Sequence, residues 1–196
     1  PIPGRSGKPG EWQAMKFEPT QIPDVVRIVP TVHRDPRGFF LEEWRAELLD
    51  QQGISATFVQ QNLSRSVKGT LRGLHYQIEQ PQGRLVRVVH GAVFDVAVDL
   101  RRSSPNFGQW TGGILSDENR HQLWVPPGFA HGFLVLTETA DFQYNCTDTY
   151  APEHERSIRW DDEDIGIDWP LEDGQVPIVS EKDSNAPSFR EADTYS

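Results

Sequence analysis

Polar and apolar residues alternate with a period of two along much of the chain, and glycine and proline break that alternation every few residues. Residues 84–100, RLVRVVHGAVFDVAVDL, hold two runs rich in β-branched residues, divided at His90-Gly91. Two such runs joined by a glycine turn predict a β-hairpin. In the second run Phe94, Val96, Val98 and Leu100 share one strand face, and Asp95 and Asp99 share the other, because successive side chains point to opposite sides of a strand. Residues 131–137 (HGFLVLT) and 141–150 (DFQYNCTDTY) alternate again. Turn residues punctuate the rest, at Pro36, Gly38, Pro81, Gly83, Pro105, Gly108, Pro126, Pro127 and Gly128. Many short strands with frequent turns predict a sandwich or barrel, not alternating β and α units. Helical patterning is confined to residues 42–51 with the preceding Leu41, and to a short turn within 161–168. The acidic, proline-containing tail after Pro170 reads as helix or coil packed over the domain.

Composition narrows the class without changing the fold. The 196 residues suit one domain of ordinary size, with 36% hydrophobic and 24% charged residues, enough apolar material for a packed core. The first fourteen residues, PIPGRSGKPGEWQA, are unpatterned and rich in Gly and Pro. They read as an expression remnant, leaving residues 15–196 as a single domain whose C-terminal tail begins at about 171. A formal charge of −10, from 29 acidic and 19 basic residues, argues against nucleic acid as the partner. It leaves room for a small anion held by a few arginines in one pocket. The single cysteine, Cys146, excludes a disulfide framework or a cysteine-rich zinc site within one chain. With no signal peptide and no apolar run long enough for a bilayer, the expected location is the cytoplasm, with no membrane partner.

Six histidines are the first candidates for chemistry. His90, beside a turn glycine, and His154, in a charged stretch, read as surface residues. His75 and His131 lie in apolar strand-like runs and are each flanked by glycine. Such a histidine is either a hydrogen-bonded core residue or a functional one, and a glycine beside a polar strand residue marks a bulge or close approach of a ligand. In TLRGLHYQ strict alternation puts Arg72 and His75 on opposite faces, whereas a bulge at Gly73 brings them to one side. Asp95 and Asp99 could orient His75 or His131 from a neighbouring strand, close a separate hydrogen-bond network, or face water. Tyr144 and Tyr150 share parity in one predicted strand with Phe142 and Cys146 close by. They supply either barrel packing or a phenol acid and a stacking ring.

The run VPPGFAHGF, with Pro, Gly128 and His131 in order, resembles the second motif of the cupin superfamily of small jelly-roll barrels. The His-x-His that opens the cupin metal site has no match in the chain, so the likeness implies the barrel and argues against a metal. Six longer runs, PRGFFLE, RGLHYQ, QGRLVRVVHGAVFDVAVDLRRSSPNFGQW, QLWVPPGFAHGFLVL, YAPEHERSIRWDD and GIDWP, resemble the dTDP-4-dehydrorhamnose 3,5-epimerase family, from about Lys16 to about Asp183. The resemblance implies an all-β, cupin-type jelly-roll barrel with a few short peripheral helices, a homodimer with exchanged strands, and no metal or other cofactor. It implies epimerisation at C3 and C5 of a dTDP-4-keto-6-deoxyhexose, in rhamnose biosynthesis for cell-surface polysaccharide. By that resemblance His75 is the base, Asp183 the carboxylate that orients it, and Tyr144 the proton donor. Tyr150 matches the residue that stacks on thymine. Arg37, Phe40, Glu42, Gln60, Asn62, Arg72, Arg84, His131, Glu155 and Lys182 match positions that contact substrate, with Arg37 and Arg72 suited to a diphosphate because guanidinium offers forked donors.

Three positions depart from the family pattern. Arg84 stands where lysine is common, Asn145 follows Tyr144 where lysine is common, and Thr149 replaces a frequent tyrosine. These bear on fine specificity. Epimerases acting at C3 alone or C5 alone share much of the constellation. A metal-dependent cupin would need His75, His131 and a carboxylate to converge on an ion. A non-catalytic sugar-nucleotide-binding barrel would need Arg37 and Arg72 but neither His75 nor Tyr144.

Overall fold

A computed structural model describes residues 14–172 and 174–196. The proposed N-terminal remnant therefore lies outside the described residues, apart from Ala14, which is buried and accepts a hydrogen bond from the Thr31 amide.

Thirteen strands are described: β1 (Met15–Pro19), β2 (Val26–Pro30), β3 (His33–Asp35), β4 (Gly38–Phe40), β5 (Gln60–Val67), β6 (Leu71–Gln77), β7 (Arg84–His90), β8 (Ala92–Asp99), β9 (Trp110–Ser116), β10 (Gln122–Val125), β11 (Phe129–Val135), β12 (Thr139–Cys146) and β13 (Glu155–Ser157). One sheet has the order β1-β2-β10-β7-β12-β5, the other β13-β6-β11-β8-β9, and β3 and β4 form a two-stranded sheet. All pairings between the named strands are antiparallel. The chain passes repeatedly from one sheet to the other, the jelly-roll arrangement that the family resemblance implied and one form of the sandwich or barrel that alternation and turn density predicted.

The predicted hairpin over 84–100 is not formed. β7 lies between β10 and β12 in the first sheet, and β8 lies between β11 and β9 in the second. Gly91 is the corner at which the chain changes sheets. Its φ is +77°, and a Cβ there would lie 2.2 Å from the Thr139 carbonyl oxygen. The local turn signal is genuine, but a tight turn says nothing about which neighbours each strand then finds.

Apolar packing occurs in three layers. Between the sheets, Val86, Val88 and Phe142 meet Val93, Ala97, Phe129 and Phe133. On the outer side of the five-stranded sheet, Leu71, Leu74, Val96, Val98, Leu100 and Leu134 pack beneath Ile158, Ile165, Trp169 and Ala192 of the C-terminal segment. Outside the six-stranded sheet, Met15, Ile28, Leu85 and Trp124 are covered by Leu49 of helix α1 (Ala46–Asp50) and by Ile54. Strand β8 is thus buried on both faces, which explains why its acidic face carries Asp95 and Asp99 at zero exposure. Those carboxylates point into the protein, not to water.

The helical predictions shrink. Only five residues of 42–51 become helix, and 161–168 forms turns, one closed by the Gly166 amide on the Asp162 carbonyl. The tail does pack over the domain and contains the four-residue helix α2 (Glu181–Ser184). Strand β12 ends at Cys146, so Tyr150 stands beyond it in a loop and not in the strand with Tyr144. His90 is exposed as expected, whereas His154 is half-buried.

Candidate active site

The barrel mouth is built by an irregularity in β6. Opposite β11, His75 pairs with His131 and Arg72 with Phe133, so Gly73 and Leu74 together face the single residue Gly132. This is a bulge. Gly73 has φ +132°, and a Cβ on it would lie 2.6 Å from the Gly132 Cα, so only glycine fits. The extra residue turns Arg72 and His75 to the same side, and both line one cleft of about 140 Å³ together with Ser64, Arg84, His131, Phe133, Phe142 and Tyr144.

His75 Nε2 lies 2.6 Å from Asp183 Oδ1. Asp183 comes from the tail, on α2, whose start is encoded by Ser180-Glu181-Lys182-Asp183: the Ser180 hydroxyl accepts the Asp183 amide at the helix N-cap. Burial opposes ionisation of Asp183. Even so, the hydrogen bond and charge of His75, the Gly73 amide and the Ser180 hydroxyl outweigh burial and hold its carboxyl below the ordinary range. With Asp183 ionised, it favours the tautomer in which Nε2–H donates to it, leaving Nδ1 with a free lone pair for base chemistry.

A second pair lies deeper. His131 Nε2 is 2.9 Å from Asp95 Oδ2 and 3.1 Å from Oδ1, with His131 and Asp95 both buried. Burial pushes the Asp95 carboxyl up, against the opposing pull of His131 and Arg84. Of the alternatives open for the two strand aspartates, Asp95 orients His131. Asp99 instead closes a separate network, accepting bonds from Arg101 and Ser104. Each cleft histidine has its own carboxylate, and among the described residues no three His, Cys, Asp or Glu side chains are grouped to hold an ion.

Two guanidinium groups supply the positive charge. Arg84 donates to the His75 carbonyl at 3.4 Å and to Gln82 Oε1 at 3.2 Å, and its guanidinium carbon is 5.9 Å from the Tyr144 ring centroid. Arg72 donates from Nε to Ser66 Oγ at 3.0 Å. Neither forms an ion pair among the described residues. Aromatic rings floor the cleft. Phe142 is stacked on Phe133 at 4.1 Å and contacts both His131 and Tyr144.

At the rim, Tyr150 donates to Glu155 Oε2 at 2.8 Å, and Lys182 Nζ meets the same oxygen at 2.5 Å. Although burial opposes it, these two bonds keep Glu155 below the usual carboxyl range. Gln60 accepts the Tyr150 amide and donates to Asn62. Arg37, Phe40 and Glu42 are elsewhere. Arg37 is exposed and paired with Asp35 on the β3–β4 arm, Phe40 is 53% exposed, and Glu42 pairs with Arg45. None of these three lines the cleft of their own chain.

The sequence reading missed Ser64, Ser66, Phe133 and the floor role of Phe142. A signal for the serines was present. Along β5 the side chains alternate Gln60, Asn62, Ser64, Ser66 on the inner face and Gln61, Leu63, Arg65, Val67 on the outer. All four inner residues are polar while Leu63 and Val67 are exposed outside, which inverts the usual rule and marks the inner face as a wall of a polar cleft.

A jelly roll whose mouth holds a carboxylate-backed histidine, a tyrosine and two arginines without an ion pair among the described residues has the equipment of an enzyme that moves protons on an anionic substrate. Comparison with known proteins gives the particular family. Residues 19–191 match the family model described as dTDP-4-dehydrorhamnose 3,5-epimerase. The protein of that name from Pseudomonas aeruginosa is 54% identical over 182 residues, 92% of this chain and 99% of the relative. One from Methanothermobacter thermautotrophicus is 50% identical over 180 residues, 92% and 97% of the two chains. The crystal structure of dTDP-6-deoxy-D-glucose-3,5-epimerase from Legionella pneumophila, in complex with dTDP-4-keto-L-rhamnose, superposes with a TM-score of 0.88 at 52% identity, covering 91% of this chain and 95% of that one. The chain belongs to the dTDP-4-dehydrorhamnose 3,5-epimerase family, a family of isomerases.

Proposed function

We propose that the chain converts dTDP-4-dehydro-6-deoxyglucose to dTDP-4-dehydrorhamnose, for dTDP-rhamnose biosynthesis, by inverting C3 and C5 with its own side chains and no metal. The observation that carries this reading is the 2.6 Å His75–Asp183 bond within the cleft that also holds Tyr144, Arg72 and Arg84. The C4 ketone acidifies the hydrogens on C3 and C5. His75 Nδ1 takes one of them, the C–H electron pair moves into the C4 oxygen, and Asp183 stabilises the imidazolium. Arg84 offsets the enolate charge, and His131 lines the same cleft. The Tyr144 hydroxyl returns a proton to carbon on the other face, and the imidazolium proton restores the phenol through solvent. The same steps then act on the second carbon.

Tyr150, Gln60, Asn62, Glu155 and Lys182, linked at the rim, receive the nucleoside, and Arg72 receives the diphosphate. Arg37, Phe40 and Glu42 act on the site of a second copy. Their absence from the lining of their own cleft supports a homodimer with exchanged strands. Cys146, buried and the only cysteine, is compatible with a reducing cytoplasm; among the described residues no helix is long and apolar enough to cross a membrane.

The test is NMR of the 4-keto-6-deoxy sugar nucleotide with the protein in deuterated water. Deuterium should enter at both C3 and C5, with and without chelator, and His75→Ala should abolish exchange while still binding dTDP. Exchange at one carbon would reassign the chain to a single-site epimerase, and unchanged exchange by His75→Ala would overturn the assignment of the base.

A further inference from the structure

We propose that Ser66 is a positioning residue that aims Arg72 at the substrate, an inference that rests on the epimerase reading of the cleft. Ser66 is 6% exposed on the inner face of β5, and its hydroxyl oxygen accepts the Arg72 Nε–H at 3.0 Å. Among the described residues Arg72 has no other side-chain hydrogen bond and no ion pair, and it is an exposed residue at the edge of the Gly73 bulge. A guanidinium is planar, so a bond at Nε fixes that plane and leaves both terminal amino groups free to form a fork. Such a fork suits two oxygens of a phosphate. Without the Ser66 acceptor, the same side chain samples many rotamers in water, and each binding event must first select one.

The setting of Ser66 supports a role in the cleft more than one in packing. It ends the inner series Gln60, Asn62, Ser64, Ser66, while the outward face of the same strand exposes Leu63 at 65% and Val67 at 55%. Were β5 shaped by burial alone, the serines would face water and the aliphatic residues would face in. The serine lies on a different strand from the arginine it holds, and the bulge brings that arginine round to the His75 side. One irregularity thus places the base and the anion-binding fork, and Ser66 holds the fork in position.

The experiment is a double-mutant cycle on the full chain, read by steady-state kinetics with the keto-sugar nucleotide and by calorimetric binding of dTDP. Ser66→Ala should raise KM and the dTDP Kd about tenfold, the scale of one hydrogen bond to a charged group, with kcat within about threefold of wild type. Ser66→Thr, which keeps the hydroxyl, should restore both constants. In an Arg72→Ala background Ser66→Ala should add nothing, because the group it acts through is gone. Unchanged KM and Kd in Ser66→Ala would overturn the proposal, as would effects of the two substitutions that simply multiply. A thermal melt separates loss of fold from loss of aim, since Ser66→Thr and Ser66→Ala differ in the acceptor and not in strand pairing. If the wild-type chain neither binds dTDP nor exchanges deuterium, the functional reading fails first and this inference falls with it. If it does both and Ser66→Ala behaves like wild type, only the inference fails.

Discussion

Replacing Asp183 by Asn removes a charge and almost no volume, which makes it a direct probe of the dyad. Asp183 lies 2.6 Å from His75 Nε2 and is 3% exposed. It does not line the cleft, so it has no direct share in holding substrate. A hydrogen bond to a charged partner contributes about 1.5–3 kcal/mol. The imidazolium gains that stabilisation only after His75 has taken a proton, so the loss falls on the barrier. At about 1.4 kcal/mol per tenfold, kcat for deuterium exchange should fall between about 10-fold and 150-fold, with KM within about twofold. The loss grows if the amide turns its nitrogen toward Nε2, because the imidazole must then present a lone pair there and place its proton on Nδ1, where the base should be. The assay is NMR exchange at C3 and C5 under saturating substrate, alongside a thermal melt to establish folding. A variant that turns over within threefold of wild type, or one whose KM rises while kcat stays level, would refute the orienting role.

Tyr144→Phe keeps the ring that packs against Phe142 but loses the hydroxyl; dTDP binding should persist while epimerised product falls by about 10²–10⁴-fold, the span typical of a general acid, and NMR of the product reads this. Gly73→Ala puts a methyl 2.6 Å from Gly132 Cα at φ +132°, so urea unfolding should show a loss of more than about 1–3 kcal/mol and activity should fall with it. Asp99 and Asp183 are both held below ordinary carboxyl values, in each case despite burial; Arg101 and Ser104 bind the first and His75 the second. A lowered native pKa contributes stability that is present above the unfolded value of about 3.9 and is lost as pH falls through the native one. Urea midpoints should therefore decline below about pH 4, with a shallower decline in Asp99→Asn. Arg37→Ala and His75→Ala should each be inactive alone, yet mixing them after subunit exchange should recover about a quarter of wild-type activity, since in the proposed homodimer half the dimers are mixed and each mixed dimer has one intact site. No recovery would place Arg37 in its own chain's site.

The chemistry was legible wherever it was written in short local runs. RGLHYQ carried the proposed base, the arginine and the glycine that reconciles them, because a bulge is a local backbone property and only glycine tolerates the required φ. Asp183 entered through the family resemblance; the tail read as helix or coil, and the Ser180 N-cap that starts α2 emerged only in the structure. The inverted polarity of β5 was present too, since alternation is visible in any strand, but its meaning depends on which side faces the cleft. Partnership was not legible. β7 and β8 follow one another through a glycine turn and still enter different sheets, since strand neighbours are chosen by long-range pairing and burial of both faces of β8. Asp95 and Asp99 have the same spacing and the same strand face, yet one binds His131 and the other Arg101. Tyr150 leaves the line of Tyr144 because β12 stops at Cys146. Thus the sequence alone determined the residue types, the alternation and the backbone exceptions, which depend on interactions a few residues apart. The tertiary structure decided which carboxylate backs which histidine and which face became the cleft, because those depend on groups that meet only after chain segments about 100 residues apart have packed together, as His75 and Asp183 do across 108 positions.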